Sequence, residues 1–110
     1  MDNAVGTYVP ATFVTYRTLA ERYPSYSEDA LWRMSETLED LNRYPLQAQA
    51  LTDLVARFPE TKYEAAWKLG EVREKRLKDK SGAVEAYAKV PAASAKYRDA
   101  QKKVQELSRP

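Results

Sequence analysis

The sequence contains no cysteine and no histidine. Without cysteine there are no disulfides and no thiol nucleophile, and cysteine usage gives no information on the redox compartment. Without histidine the chain lacks the usual general base, the nucleophiles that depend on it, and the common Cys/His metal sites. Catalysis would therefore have to depend on carboxylates, lysine or tyrosine.

Long apolar runs are also missing, since no stretch approaches the roughly 20 residues that cross a bilayer. The first ten residues lack a basic patch followed by an apolar core, so we expect no secretory signal there. The 18 basic and 16 acidic residues nearly balance, and a net charge of +2 is too small to indicate nucleic acid or an anionic membrane. With 110 residues, 44% of them hydrophobic, the chain has the composition of one soluble globular domain.

A 35-residue repeat is the main positive feature of the sequence. The stretch "RYPSYSEDALWRM" (residues 22–34) is followed 35 positions later by "RFPETKYEAAWKL" (residues 57–69). Self-similarity at such a period is typical of helical repeat proteins. We therefore predict a single domain that consists of a half repeat (10–24), two repeats (25–59 and 60–93) and a terminal helix (94–107).

Each repeat is predicted to form two α-helices. Apolar residues between Ser27 and Leu41 recur at spacings of three and four, as on one face of a helix. A second helix is expected over about residues 46–57 in the first repeat and 82–90 in the second, because Pro59 and Pro91 disfavour continuation. The residues expected to face inward from these second helices are Ala48, Leu51, Val55, Phe58, Ala83, Ala86, Tyr87 and Val90.

Short motifs indicate where the helices begin. "SYSE" (residues 25–28) and "TKYE" (residues 61–64) fit the capping box, in which two side chains bind the free amides of the first helical turn. "NRYP" (residues 42–45) and "KDKSG" (residues 78–82) occupy equivalent places in the two repeats and favour turns.

The small and large residues at these offsets resemble the tetratricopeptide repeat (TPR). "AAWKLG" (residues 65–70) and, less closely, "ALWRMS" (residues 30–35) resemble the first-helix pattern of that family, and "AVEAYAKV" (residues 83–90) resembles its second-helix pattern. "AQALTDLV" (residues 48–55) departs from it, because Thr52 stands where an aromatic residue is expected. The resemblance implies an all-α fold, an α-α superhelix (TPR-like solenoid) of about six antiparallel helices that needs no cofactor and no metal.

The "RYP" and "RFP" that close the units, with the 35-residue length, most resemble the bacterial cell-envelope branch of the family. That branch includes the coordinator protein of the Tol-Pal system and the lipoprotein of the outer-membrane β-barrel assembly machine. The resemblance favours a bacterial envelope complex, while both periplasm and cytoplasm stay open as the compartment.

In the TPR family, ligands contact the first helix of each repeat on a concave surface. The positions of this sequence that match the contacting ones are Asp29, Trp32, Glu36, Glu39, Asp40, Glu64, Trp67, Glu71, Glu74 and Lys75. We call these ten residues the predicted binding face. Two tryptophans among acids would accept a protein segment that carries Lys or Arg and an apolar anchor. Alternatively, Trp32 and Trp67 fill space between adjacent repeats and the acids form a solvated surface.

Three function classes follow from these observations. A protein-binding scaffold is favoured, and a structural or self-associating module without a groove ligand is the alternative. RNA binding through the basic run "REKRLKDK" (residues 73–80) is the least favoured class, because cations at a helix end are explained by the helix dipole. An enzyme is not expected, since carboxylate pairs such as Glu36 and Glu39 have no accompanying nucleophile or oxyanion donor.

Overall fold

A computed structural model describes residues 27–109 of the chain, which form five α-helices. The helices are α1 (Ser27–Asp40), α2 (Tyr44–Arg57), α3 (Ala65–Glu71), α4 (Lys80–Ala88) and α5 (Tyr97–Ser108). A π-helical turn, Val72–Arg76, extends α3. The described residues contain no strand, which confirms the predicted all-α class. The half repeat predicted over residues 10–24 lies outside the described residues.

Each helix packs against the next helix along the chain, as expected of an α-α solenoid. We refer to α1, α3 and α5 as first-type helices and to α2 and α4 as second-type helices. The π-helical turn also touches both second-type helices. None of the helices in this described part has the length and apolar character that a membrane crossing requires.

The two predicted turns are confirmed, but the helices that follow them begin two residues early. Asn42 and Lys78, each two residues before the helix that follows, have φ values of 57° and 55°. α2 begins at Tyr44, because Pro45 fits the first helical turn, where its missing N–H is not needed. α4 begins at Lys80, because the side chain of Asp79 caps it by accepting a hydrogen bond of 3.0 Å from the amide of Gly82.

The capping box predicted at "TKYE" was wrong. α3 begins at Ala65 with Glu64 as its N-cap residue, and the side chain of Glu64 forms no capping hydrogen bond. Thr61 instead donates a hydrogen bond of 2.5 Å to Glu28, a residue of the preceding repeat. Glu28 also accepts from the amide of Lys62 at 3.2 Å, so these residues connect two repeats rather than cap one helix. Ser25, the first residue of the other proposed box, lies outside the described residues.

The terminal helix is shorter than predicted at its N-terminal end. α5 begins at Tyr97, whereas the prediction began at residue 94. Ser94 to Lys96 form turns in which the hydroxyl of Ser94 accepts from the amide of Lys96 at 2.9 Å. Serine side chains compete with helical hydrogen bonding in this way, which explains the later start.

The core lies between the two types of helix and contains the residues that the periodicity placed inside. Of the eight inward residues predicted on the second-type helices, seven are buried, and Phe58 is half-buried against the core. α2 buries three further residues, Gln47, Ala50 and Leu54. Gln47 is 1% exposed, and neither atom of its amide has a hydrogen-bond partner among residues 27–109. An unpaired buried amide lowers stability, so this residue is a weak point of the core.

The second repeat packs around one close helix contact. Gly70 of α3 meets the ring of Tyr87 of α4, and a Cβ atom built at Gly70 would lie 2.4 Å from Tyr87 Cε1. In the first repeat the equivalent residues are Ser35 and Thr52. Compared with the second repeat, the first repeat thus has a larger residue on its first-type helix (Ser35) and a smaller one on its second-type helix (Thr52).

Candidate functional site

The two tryptophans of the predicted binding face are half-buried and pack against tyrosines. Trp32 of α1 stacks on Tyr63, with ring centroids 5.0 Å apart and an angle of 11° between the rings. Trp67 of α3 meets Tyr87 of α4 at 5.0 Å and 53°. Each indole therefore lies against the core on one side and keeps a solvent-exposed part. This geometry combines elements of both interpretations offered by the sequence.

Lysines from the loops between repeats lie over these aromatic clusters. Lys96 Nζ is 5.2 Å from the ring centroid of Trp67, and Lys62 Nζ is 5.3 Å from that of Tyr63. Both distances are within the roughly 6 Å over which an aromatic face attracts a cation. The protein itself thus supplies a cation to Trp67, a ring that the sequence had assigned to a partner, and to Tyr63, which stacks on the other tryptophan.

The acids of the predicted binding face fall into paired and unpaired groups. Glu39 of α1 binds Lys68 of α3 at 2.8 Å, and Glu74 of the π-helical turn binds Lys103 of α5 at 3.2 Å. The second pair repeats the first, since both its acid and its lysine lie 35 positions later. These ion pairs each connect one first-type helix with the next.

Glu74 belongs to a hydrogen-bonded group that joins three helical segments. The hydroxyl of Tyr87 donates to its carboxylate at 2.8 Å, and Lys103 binds the same carboxylate. Burial of Glu74 opposes ionisation, but the hydrogen bonds from Tyr87 and Lys103 outweigh it, so the pKa of Glu74 lies below its usual value. Burial, followed by the bond to Glu74, raises the pKa of Tyr87. The acid is therefore ionised and engaged at neutral pH.

The acids at the beginning of the first-type helices bind the loop that precedes the next one. Asp29 accepts a hydrogen bond from the hydroxyl of Tyr63 and lies 3.4 Å from Lys62 Nζ. The bond from Tyr63 lowers the pKa of Asp29 and raises that of Tyr63. Glu64 accepts from the hydroxyl of Ser94 at 2.6 Å. Asp29 and Glu64 are equivalent positions, so both help to set the spacing of adjacent repeats.

Two acids of the predicted binding face have no such engagement. Glu36 and Asp40 are exposed on α1 and form no ion pair with any residue in the range 27–109. Glu71 and Lys75 are 3.8 Å apart and belong to successive turns of α3 and its extension. A shallow groove between α1 and α3 brings part of the face together. Its lining residues are Glu39, Lys68, Glu71, Val72, Lys75 and Arg76.

The basic run at residues 73–80 is largely engaged within the protein. Arg73 donates to the carbonyl of Gly82 at 3.0 Å and to the hydroxyl of Thr52 at 3.3 Å. Arg76 lies over the ring of Tyr44, 4.9 Å from its centroid. These contacts favour the interpretation of a structural helix end over that of a site for polyanions.

Sequence reasoning missed the lysines Lys62, Lys68, Lys96 and Lys103, none of which it assigned to the site. A signal for two of them was present, because Lys68 and Lys103 keep the 35-residue offset of the acids that they bind. Lys62 and Lys96 lie in loops of different sequence, and only the folded chain places them over the rings.

Comparison with known proteins identifies one related family. A family model described as tetratricopeptide repeat matches residues 64–94, which include α3, the π-helical turn and α4. The comparisons with curated proteins and with solved structures return no match. Repeats of this family generally mediate protein–protein interaction and are typically non-catalytic. The match, together with the all-helical fold, supports a tetratricopeptide repeat protein.

Proposed function

We propose that the chain is a scaffold that binds a protein segment through the predicted binding face. The observation that supports this most strongly is the position of Glu36 and Asp40, two exposed acids that form no ion pair with any of residues 27–109. They lie about one and two helical turns beyond the half-buried Trp32. Unneutralised carboxylates beside an indole favour a segment with Lys or Arg and an apolar anchor. The partner is therefore a basic, amphipathic stretch of another protein.

Fluorescence anisotropy with a short labelled peptide of lysine and leucine tests this proposal. We expect the peptide to bind, and a peptide with glutamate in place of lysine not to bind. Reversing Glu36 to Lys should weaken binding by about two- to thirtyfold, since an attraction is replaced by a repulsion and each exposed pair contributes about 0.2–1 kcal/mol. Asp53→Lys is the matched control, because Asp53 is an exposed acid on the second-type helix α2. Equal loss in both variants would contradict the assignment of the face.

The alternative, a structural module without a groove ligand, is favoured by one observation. Trp32 stacks on Tyr63 across the boundary between repeats, so it contributes to packing. Trp32→Ala separates the two functions when binding and stability are measured on the same sample. Lost peptide binding with a small loss of stability supports the scaffold. A loss of about 3 kcal/mol or more in the free energy of unfolding, with peptide binding retained, supports the structural module.

We also propose that the scaffold belongs to a bacterial envelope complex. The support is the "RYP" and "RFP" closure of 35-residue units, a resemblance in sequence alone. Fractionation of the source cells with an antibody against the chain is the test. Recovery with the envelope or periplasm is expected, and recovery in the cytosol alone would contradict the proposal.

A further inference from the structure

We propose that the protein's own lysines occupy cation sites of the predicted binding face, so that a basic partner segment binds by displacing them. Lys68 occupies the site at Glu39, and Lys103 occupies the site at Glu74. This inference rests on the proposed function and adds a mode of regulation to it, namely competition between internal and external cations.

The repetition of the pairs is the first argument. Glu39 and Glu74 are equivalent positions in two repeats, and so are Lys68 and Lys103. Each acid could have faced solvent, as Glu36 does, but each instead meets a lysine of the following first-type helix. Two occurrences at one offset indicate an arrangement built into the repeat.

The exposure of the pairs is the second argument. The side chains of Glu39 and Lys68 are 38% and 30% exposed, and those of Glu74 and Lys103 are 22% and 28% exposed. Each of these four side chains therefore keeps a solvent-exposed part. An ion pair in such a position contributes only about 0.2–1 kcal/mol, so an incoming ammonium or guanidinium group can exchange with the internal lysine.

The ring of Trp67 is also covered by an internal lysine, although the lysine here meets an aromatic face instead of a carboxylate. Lys96 covers it at 5.2 Å, and the loop that carries Lys96 is held by the bond from Ser94 to Glu64. An aromatic residue expected to receive a partner's cation already has one from the chain. The internal cations thus reduce the attraction of both repeats for basic segments. Glu36 and Asp40, which pair with no cation of residues 27–109, are left as the place of initial contact.

Removing an internal lysine should tighten binding of the labelled lysine–leucine peptide. We expect Lys68→Met and Lys103→Met each to lower Kd by about 1.5- to fivefold, the factor that corresponds to one exposed ion pair. Lys89→Met is the matched control, since Lys89 is exposed at the end of the second-type helix α4 and its replacement changes net charge equally. Circular dichroism verifies the fold of each variant. If a methionine variant does not fold, the glutamine variant at the same position, Lys68→Gln or Lys103→Gln, is used in its place.

The outcomes distinguish this inference from the proposed function. Tighter binding by both variants and an unchanged control support internal competition. If the wild-type chain binds the peptide but neither variant binds it more tightly, internal competition is overturned and the scaffold function stands. Weaker binding by the variants also overturns it, because Lys68 and Lys103 would then contact the partner directly. If the wild-type chain does not bind the peptide, both proposals fall.

Discussion

Gly70→Ala tests the helix contact on which the second repeat is built. The new methyl carbon would lie 2.4, 2.5 and 2.8 Å from three atoms of the Tyr87 ring, closer than Cβ atoms approach other groups in proteins. Tyr87 is 1% exposed and its hydroxyl is bound to Glu74, so a shift of the ring would disturb the core or that hydrogen bond. We therefore expect the substitution to destabilise the protein, although alanine is the better helix former.

The size of the effect follows from two opposing contributions. Overpacking of a dense core costs about 1–3 kcal/mol. Replacing glycine by alanine within a helix contributes about 1 kcal/mol in the opposite direction. Because the Tyr87 ring is fully buried, we expect a net loss of about 1–2 kcal/mol, or a fall in Tm of roughly 4 °C or more per kcal/mol. Urea denaturation followed by circular dichroism measures the loss.

A double-mutant cycle assigns the loss to the contact itself. In a Tyr87→Leu background the ring is absent, so Gly70→Ala should stabilise the protein by about 1 kcal/mol through helix propensity. Ser35→Ala is the control, since Ser35 occupies the equivalent position of the first repeat and already carries a Cβ. The packing argument is refuted if Gly70→Ala has the same effect in both backgrounds.

The remaining predictions concern the core and the partly buried Glu74. Gln47→Leu should raise the free energy of unfolding by about 1–3 kcal/mol, because it removes a buried amide that has no partner within residues 27–109. An equal gain from Gln47→Glu would contradict this. Ala65→Leu should lower Tm far more than Ala56→Leu, since Ala65 is 1% exposed and Ala56 is exposed, and equal melting curves would disprove the packing assignment. Glu74→Gln should flatten the decline of stability in acid. Because the pKa of Glu74 is lowered by folding, its ionised form stabilises the folded protein above the unfolded pKa of about 4.3. That stabilisation is lost as the pH falls through the folded pKa. An unchanged dependence of stability on acid pH in the Glu74→Gln variant would contradict this role of Glu74.

The periodicity of apolar residues predicted the helices well, because the stability of each helix depends mainly on the burial of one apolar face. α1 and the inward residues of α4 follow from spacing alone. The ends of the helices were less predictable, since they depend on single side chains with several possible partners. Thr61 could cap α3 or bind the preceding repeat, and the folded chain uses the second option.

The predicted binding face shows a different limit of sequence reasoning. Spacing within one helix places Trp32 and Glu36 on a common stripe, because both belong to α1. The identity of the group opposite each residue depends on how repeats stack, which involves chain segments about 30 residues apart. The lysines bound to Glu39 and Glu74 were therefore missed, although their offset was visible in the sequence.

The most direct test of the scaffold account is NMR mapping of the amides that respond to the lysine–leucine peptide. The account predicts that the largest chemical-shift changes occur on the first-type helices, around Trp32, Glu36 and Asp40, and extend to the indole of Trp67. Changes confined to the second-type helices α2 and α4, or no changes at saturating peptide, would contradict it.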